Sequence, residues 1–173
     1  MRHYLAHFSP QTWKTFRKNG STVAGFPGHF KPQASRVKAG DYLVCYLSGL
    51  SRWCGTLEVL QGPYTDIAPL FSDVDDKFVL RFRVRPIILC ELHHAVPIHE
   101  LWSLLKRTRN VDRCTQGWAW QANLVSSLAY VDPGDFEIIS KRLQTQQFDQ
   151  TPFPLSPAEL RRFGTCFAED PTR

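Results

Sequence analysis

No run in this chain of 173 residues approaches the ~20 apolar residues that a membrane-spanning helix needs. The opening Met1-Arg2-His3-Tyr4 reaches polar residues well before any apolar stretch of signal-peptide length, so a soluble cytoplasmic protein without a membrane partner is expected. Cysteine is sparse and badly placed for chemistry. The five, at 45, 54, 90, 114 and 166, are odd in number and include no Cys-x-x-Cys pair, which speaks against a disulfide framework and against structural zinc. Cys45 and Cys54 read as small buried hydrophobes. The nearest approach to a metal cluster, Cys90-Glu-Leu-His93-His94, lacks a second pair of ligands, so neither a metal nor a cofactor is expected. Internal repeats and regular βαβ alternation are missing too. Acid is scarce at the front: residues 1–60 carry eight Lys or Arg against only Asp41 and Glu58, whereas residues 111–173 carry six against eight acids. The net charge of +5 is therefore concentrated where a phosphate backbone could be met, although solubility alone also accounts for it.

What is present is a core-forming composition, 43% hydrophobic and 13% aromatic, which excludes wholesale disorder. The most informative stretch is Lys38-Ala-Gly-Asp-Tyr-Leu-Val-Cys-Tyr-Leu-Ser-Gly49, followed by Arg52-Trp-Cys-Gly-Thr-Leu-Glu-Val59. It reads as a β-hairpin with Tyr42, Tyr46 and Ser48 on one face of the first strand and Leu43, Cys45 and Leu47 on the other. Upstream, residues 2–8 read as a strand. Ser9-Pro10 starts a helix that Asn19-Gly20 stops, with Trp13 and Phe16 on one stripe. Residues 21–30 hold three glycine or proline punctuators and two phenylalanines, and read as a functional loop. A short helix is expected through Arg36 to Lys38.

Downstream of an irregular stretch at 62–76, residues 78–89 alternate as the longest strand, with Arg81, Arg83 and Arg85 in a row on one face. A helix is expected over 97–106, a polar and basic segment over 108–116, a strand over 123–130 and a helix from Pro133 to about Leu143. Residues 1–145 then form one domain. Residues 146–173 read as a polar linker and a capped helix that either docks on the domain or is the stub of a further one. The fold class expected is α+β: a small, mixed, mostly antiparallel barrel flanked by helices.

The hairpin residues Gly40-Asp41-x-Leu43-Val44-x-Tyr46-x-Ser48, with Gly55-x-x-Glu58-Val59, resemble the central hairpin of EVE domains, close relatives of YTH domains in the PUA-like superfamily. Tyr4 to Ser9 is similar to that family's first strand. Asp76-Lys-Phe78 before Arg81-Phe-Arg-Val84 resembles the Lys-Trp segment ahead of its long strand, and Tyr130 to Glu137 its last strand and helix.

The resemblance implies a PUA-like barrel and a non-catalytic nucleic-acid reader that flips a modified base into an aromatic pocket. A modified cytosine in DNA, 5-methyl- or 5-hydroxymethylcytosine, is favoured, and a modified RNA base is the alternative. It also implies service in a prokaryotic modification-dependent restriction or phage-defence system, with a nuclease or NTPase effector as partner. The pocket residues implied are Phe26 (or Val23 in the same slot), Tyr46, Ser48, Trp53, Phe71 and Phe78, the last standing where the family carries Trp. Each has a plainer reading as core packing or, for Ser48, as a turn residue. Trp118 and Trp120, at i and i+2 beside Gln121, add a pair of rings and an amide that suit a base edge. Backbone contacts fall to His29, Lys31, Arg36, Arg52 and Arg113. An ASCH-like nuclease and a protein-interaction domain are further alternatives. The sequence shows neither a clustered carboxylate set nor a Lys-Thr-x-Glu-x-Arg-like motif for the former.

Overall fold

A computed structural model describes residues 1–71, 76–111, 124 and 126–167. β1 (His3–Phe8) leads into α1 (Pro10–Lys18), where the Ser9 hydroxyl accepts from the Thr12 N–H and the Thr12 hydroxyl accepts from the Ser9 N–H. This reciprocal cap satisfies two of the N–H groups that a helix start leaves over. Then follow β2 (Val23–Phe26), a 3-10 turn at Gly28–Phe30, α2 (Lys31–Ala34), β3 (Tyr42–Leu47), β4 (Arg52–Thr65), β5 (Leu80–Leu89), β6 (Val96–Pro97), β7 (Tyr130–Val131), α3 (Pro133–Asp149) and α4 (Pro157–Phe167).

The described strands make one curled half-barrel sheet in the order β2-β5-β4-β3-β1-β7, with β6 on β4. Only β1 and β3 run parallel. The mixed, mostly antiparallel architecture expected from the sequence is what the chain adopts.

Period-two alternation divides the sheet's side chains between two cores. Tyr4, Ala6 and Phe8 of β1 and Leu43, Cys45 and Leu47 of β3 join Trp13 and Phe16 of α1. Leu5, Val44 and Tyr46 point the other way and join Ile139 and Leu143 of α3. Trp13 is fully buried, and its indole N–H donates to the Cys90 carbonyl at 3.1 Å, so its helical stripe is indeed packing.

Several expectations need correction. The segment 21–30 is not all loop: residues 23–26 form β2, paired antiparallel with β5 from Val23↔Arg83 to Phe26↔Leu80. The regular helix expected over 97–106 is replaced by a 3-10 turn at Ile98–Glu100 and further turns. Leu101 and Leu104 bond back three residues, to Ile98 and Leu101. Of the strand expected over 123–130, Tyr130 alone is in β7. Ala129 N–H closes a turn on Ser126, and Leu128 has a φ of 62°. The helix expected to end near Leu143 runs on through position 145 to Asp149, and beyond it Arg52 donates to the Phe153 and Pro154 carbonyls. Arg81 does not belong to an exposed cationic row, because it is 4% exposed.

Candidate nucleic-acid interface

The C-terminal end of β2 meets the loop between β4 and β5 at Gly25. A Cβ there would lie 2.8 Å from Leu70, 2.9 Å from Phe71 and 3.0 Å from Phe78, so only glycine lets those three side chains close on the strand. Phe71 and Phe78 meet edge to face, with centroids 4.9 Å apart, and both are half-buried. That geometry favours contact between the positive edge of one ring and the negative face of the other. Phe8 stands behind Phe71 at 6.5 Å, also edge-on. Lys77 holds its ammonium 5.9 Å from the Phe78 centroid.

The loop is shaped by two polar clips. Asp76 accepts from the backbone N–H of Leu70, of Phe71 at 2.8 Å and of Phe78 at 2.9 Å, so one carboxylate gathers both phenylalanine backbones. Arg81 donates to Asp66 at 2.8 Å, to the Ala68 carbonyl and to the Phe78 carbonyl at 3.2 Å. A planar guanidinium with five fixed donors suits such a three-way clamp, whereas an ammonium does not. His29 in the 3-10 turn, Lys31 at the start of α2 and Arg36 just past its end are all exposed. Their placement on the surface suits the expected role on a phosphate backbone.

The structure does not bring all the expected ring residues together. Phe26 is 2% exposed and packs edge to face on Phe82 at 5.7 Å, so its ring belongs to the first core rather than to an open wall. Ser48 is half-buried, and both its hydroxyl (3.1 Å) and its N–H (2.8 Å) donate to the Phe8 carbonyl. Tyr46 and Trp53 lie in the second core, edge to face at 5.0 Å, on the sheet face away from Phe26 and Phe71. Arg52, expected on phosphate, is 3% exposed and spends two donors on the Phe153 (3.1 Å) and Pro154 (2.9 Å) carbonyls. Arg113, Trp118, Trp120 and Gln121 lie outside the described residues.

Behind the sheet, His7 faces Tyr46 at 5.5 Å. Burial lowers the His7 pKa to about 4, only partly offset by its hydrogen bond to the Leu124 backbone, so the ring is neutral at pH 7. Among the described residues, the His7 Nε2 and the Trp53 indole N–H are both buried without a hydrogen-bond partner. Burial likewise raises the Tyr46 hydroxyl. This face holds polar atoms whose pairing the fold leaves incomplete, which is uncommon in native cores.

Sequence reasoning missed Gly25, Asp76 and Arg81 as the makers of the crevice. Gly25 had a signal, since it stands in the punctuated Gly25-Phe-Pro-Gly28 stretch; Arg81 had none that separated it from its neighbours. A cleft of about 530 Å³ between Lys106, Arg107, Tyr130, Asp132 and Asp135 was also missed, because its walls come from segments far apart in sequence. There Lys106 pairs with Asp132 at 3.0 Å and Asp135 accepts from the Lys106 N–H at 2.8 Å. Its cations are thus already matched by carboxylates.

No protein-family model matches the chain. It is 25% identical over 154 residues to a UPF0310 protein of Pyrococcus abyssi, covering 83% of this chain and all of that one. Among solved structures, it is similar to the Pho92 YTH domain in complex with m6A. Their TM-score is 0.59 and their identity 14%, with 86% of each chain covered. The Mmi1 YTH domain in complex with RNA matches with a TM-score of 0.59 at 12% identity, covering 89% of this chain and 84% of that one. The YTH domain of the Zygosaccharomyces rouxii MRB1 protein, solved with N6-methyladenosine RNA, matches with a TM-score of 0.54 at 13% identity. Coverage there is 85% of this chain and 87% of that one. The chain has the YTH fold. Among its described residues no helix is long and apolar enough to cross a membrane, and no group of three or more His, Cys, Asp or Glu could hold a metal.

Proposed function

We propose that this protein is a binding module, not an enzyme, that reads a modified base in nucleic acid. The observation that carries the proposal is the edge-to-face Phe71–Phe78 pair on Gly25, clipped by Asp76 and Arg81, with the Lys77 ammonium over the Phe78 ring. The YTH fold supports it, since solved neighbours carry m6A or RNA. A base extruded from its stack is held by rings and by contacts along its polar edge. Stacking contributes about 1–3 kcal/mol per base. The crevice is closed by Leu70, Phe71 and Phe78, so the base enters between the two rings and moves Phe71 aside. A methyl group filling the niche left against Gly25 adds roughly 1–3 kcal/mol, a selectivity of about 10–200-fold. Discrimination of that size suits a reader that passes its signal to an effector nuclease or NTPase.

The sequence resemblance favours a modified cytosine in DNA, within a restriction or phage-defence system. A second reading, N6-methyladenine in RNA, is supported by the ligands of the solved neighbours. Matched DNA and RNA oligonucleotides carrying 5-methylcytosine, 5-hydroxymethylcytosine, N6-methyladenine or no modification separate the two. Tighter binding of one modification by about tenfold is expected. Equal affinity across the panel overturns the proposal.

A further inference from the structure

Among the described residues, Arg52 has one long ion pair and no carboxylate at hydrogen-bond distance. It sits at the start of β4, 3% exposed, and donates to the carbonyls of Phe153 and Pro154, while the Glu159 carboxylate stands 3.9 Å away. Arg81, equally buried, has Asp66 at 2.8 Å. Carbonyl dipoles solvate a guanidinium, but a phosphate matches its fork with two charge-assisted bonds.

The segment that covers Arg52 rests on the first core through only partly buried side chains, Leu155, Phe163 and Cys166. Of the described side chains of α4, none is fully buried. Phe163 caps the hairpin turn at Gly49, whose φ of 87° and contact with that ring both call for glycine. Cys166 reaches Gln11 of α1 at 3.4 Å. The chain before it is better anchored: the Phe153 N–H donates to the His93 carbonyl at 2.9 Å, and its ring packs in the second core under Arg142. A break after Phe153 therefore separates a fixed part from a part able to lift off. Local opening is drawn from such regions of few buried contacts.

The covered surface connects to the crevice through the end of β1. Ser48, next to Gly49, is bonded to the Phe8 carbonyl, and the Phe8 ring stands behind Phe71. Glu159 serves two partners: one oxygen accepts from the Ser156 N–H at 2.7 Å as the helix cap, and the other faces Arg52.

We infer that residues 154–167 form a detachable strap, and that Arg52 is a latent phosphate contact which the strap occupies until nucleic acid takes its place. This rests on the nucleic-acid reading proposed above. Strand binding exchanges the Pro154 carbonyl and Glu159 for a phosphate, so the strap sets affinity by competing for one guanidinium.

The test uses the full chain and the oligonucleotide that binds best in the modification panel. Glu159→Gln keeps a side chain able to cap Ser156 but removes the charge near Arg52; Phe163→Ala loosens the seat on Gly49. Each is expected to tighten binding about three- to tenfold and to steepen the log–log salt dependence by about one unit, the release attending one more phosphate contact. Adding Arg52→Gln to either should erase the gain, with thermal melting confirming that the double variant is folded. Gln11→Cys, oxidised onto Cys166, should lock the strap, weaken binding and be reversed by reductant. Unchanged affinity in Glu159→Gln and Phe163→Ala overturns the strap while leaving the reader intact. Absence of binding to every oligonucleotide overturns both.

Discussion

The loop between β4 and β5 and the tail after α3 are each fastened by one buried arginine, yet the two fastenings differ in kind. Arg81 meets Asp66 at 2.8 Å and two carbonyls of its own loop, so its charge is answered locally. Arg52 answers mainly to carbonyls from a distant segment, and burial lowers its pKa, with Glu159 only partly opposing the shift. The first arrangement builds a rigid wall for a site; the second leaves a charge that a better partner can recruit. A buried guanidinium is thus a poor guide to role until its anion has been located.

The comparison can be broken first at Arg81. Arg81→Met is expected to cost about 2–4 kcal/mol in urea unfolding, because Asp66, whose side chain is 41% exposed, and two carbonyls lose their donors together. Arg52→Met should cost less, about 1–2 kcal/mol, since it strands two carbonyls and only a long ion pair to Glu159. Equal losses would erase the distinction between wall and strap. Acid offers a contrast on the second core, behind the sheet. His7 is held neutral with its pKa depressed to about 4 from 6.5, so its contribution is complete above pH 6.5 and is lost as pH falls toward 4. A loss of about 2 kcal/mol is expected over that window, in parallel for wild type and Arg52→Met. The lowered pKa of His3, due first to burial, adds in the same direction. The smallest effect belongs to Trp53→Phe. Its indole N–H is already unpartnered, so removing it should change stability by less than about 1 kcal/mol. A larger loss would reveal a partner on the back face.

Much of the architecture was legible because it is written in short-range pattern. The alternation of β3 placed Leu43, Cys45 and Leu47 opposite Tyr46, and the Ser9-Pro10 start and Asn19-Gly20 stop bracket α1 closely. What was hidden depends on partners far away. β2 carries Gly25 in a four-residue strand that exists through its pairing with β5, so its punctuators read as a loop. Arg81, Arg83 and Arg85 look equivalent as a row, and only the loop folding back over Arg81 tells it from the exposed Arg83. Tyr46 and Trp53 were grouped with Phe26 and Phe71 because flat rings look alike in sequence, although the sheet separates them onto opposite faces. Arg52 reads as a surface cation in sequence because the tail that buries it joins the chain a hundred residues later.

The most direct measurement is an amide and indole chemical-shift titration of the full chain with the preferred modified oligonucleotide and its unmodified match. The account predicts that the modified base alone shifts the amides of Gly25, Phe71 and Phe78, while the Trp53 indole stays still. Shifts confined to the Trp53 indole and Tyr46, with Gly25 unmoved, would place the site behind the sheet and contradict it.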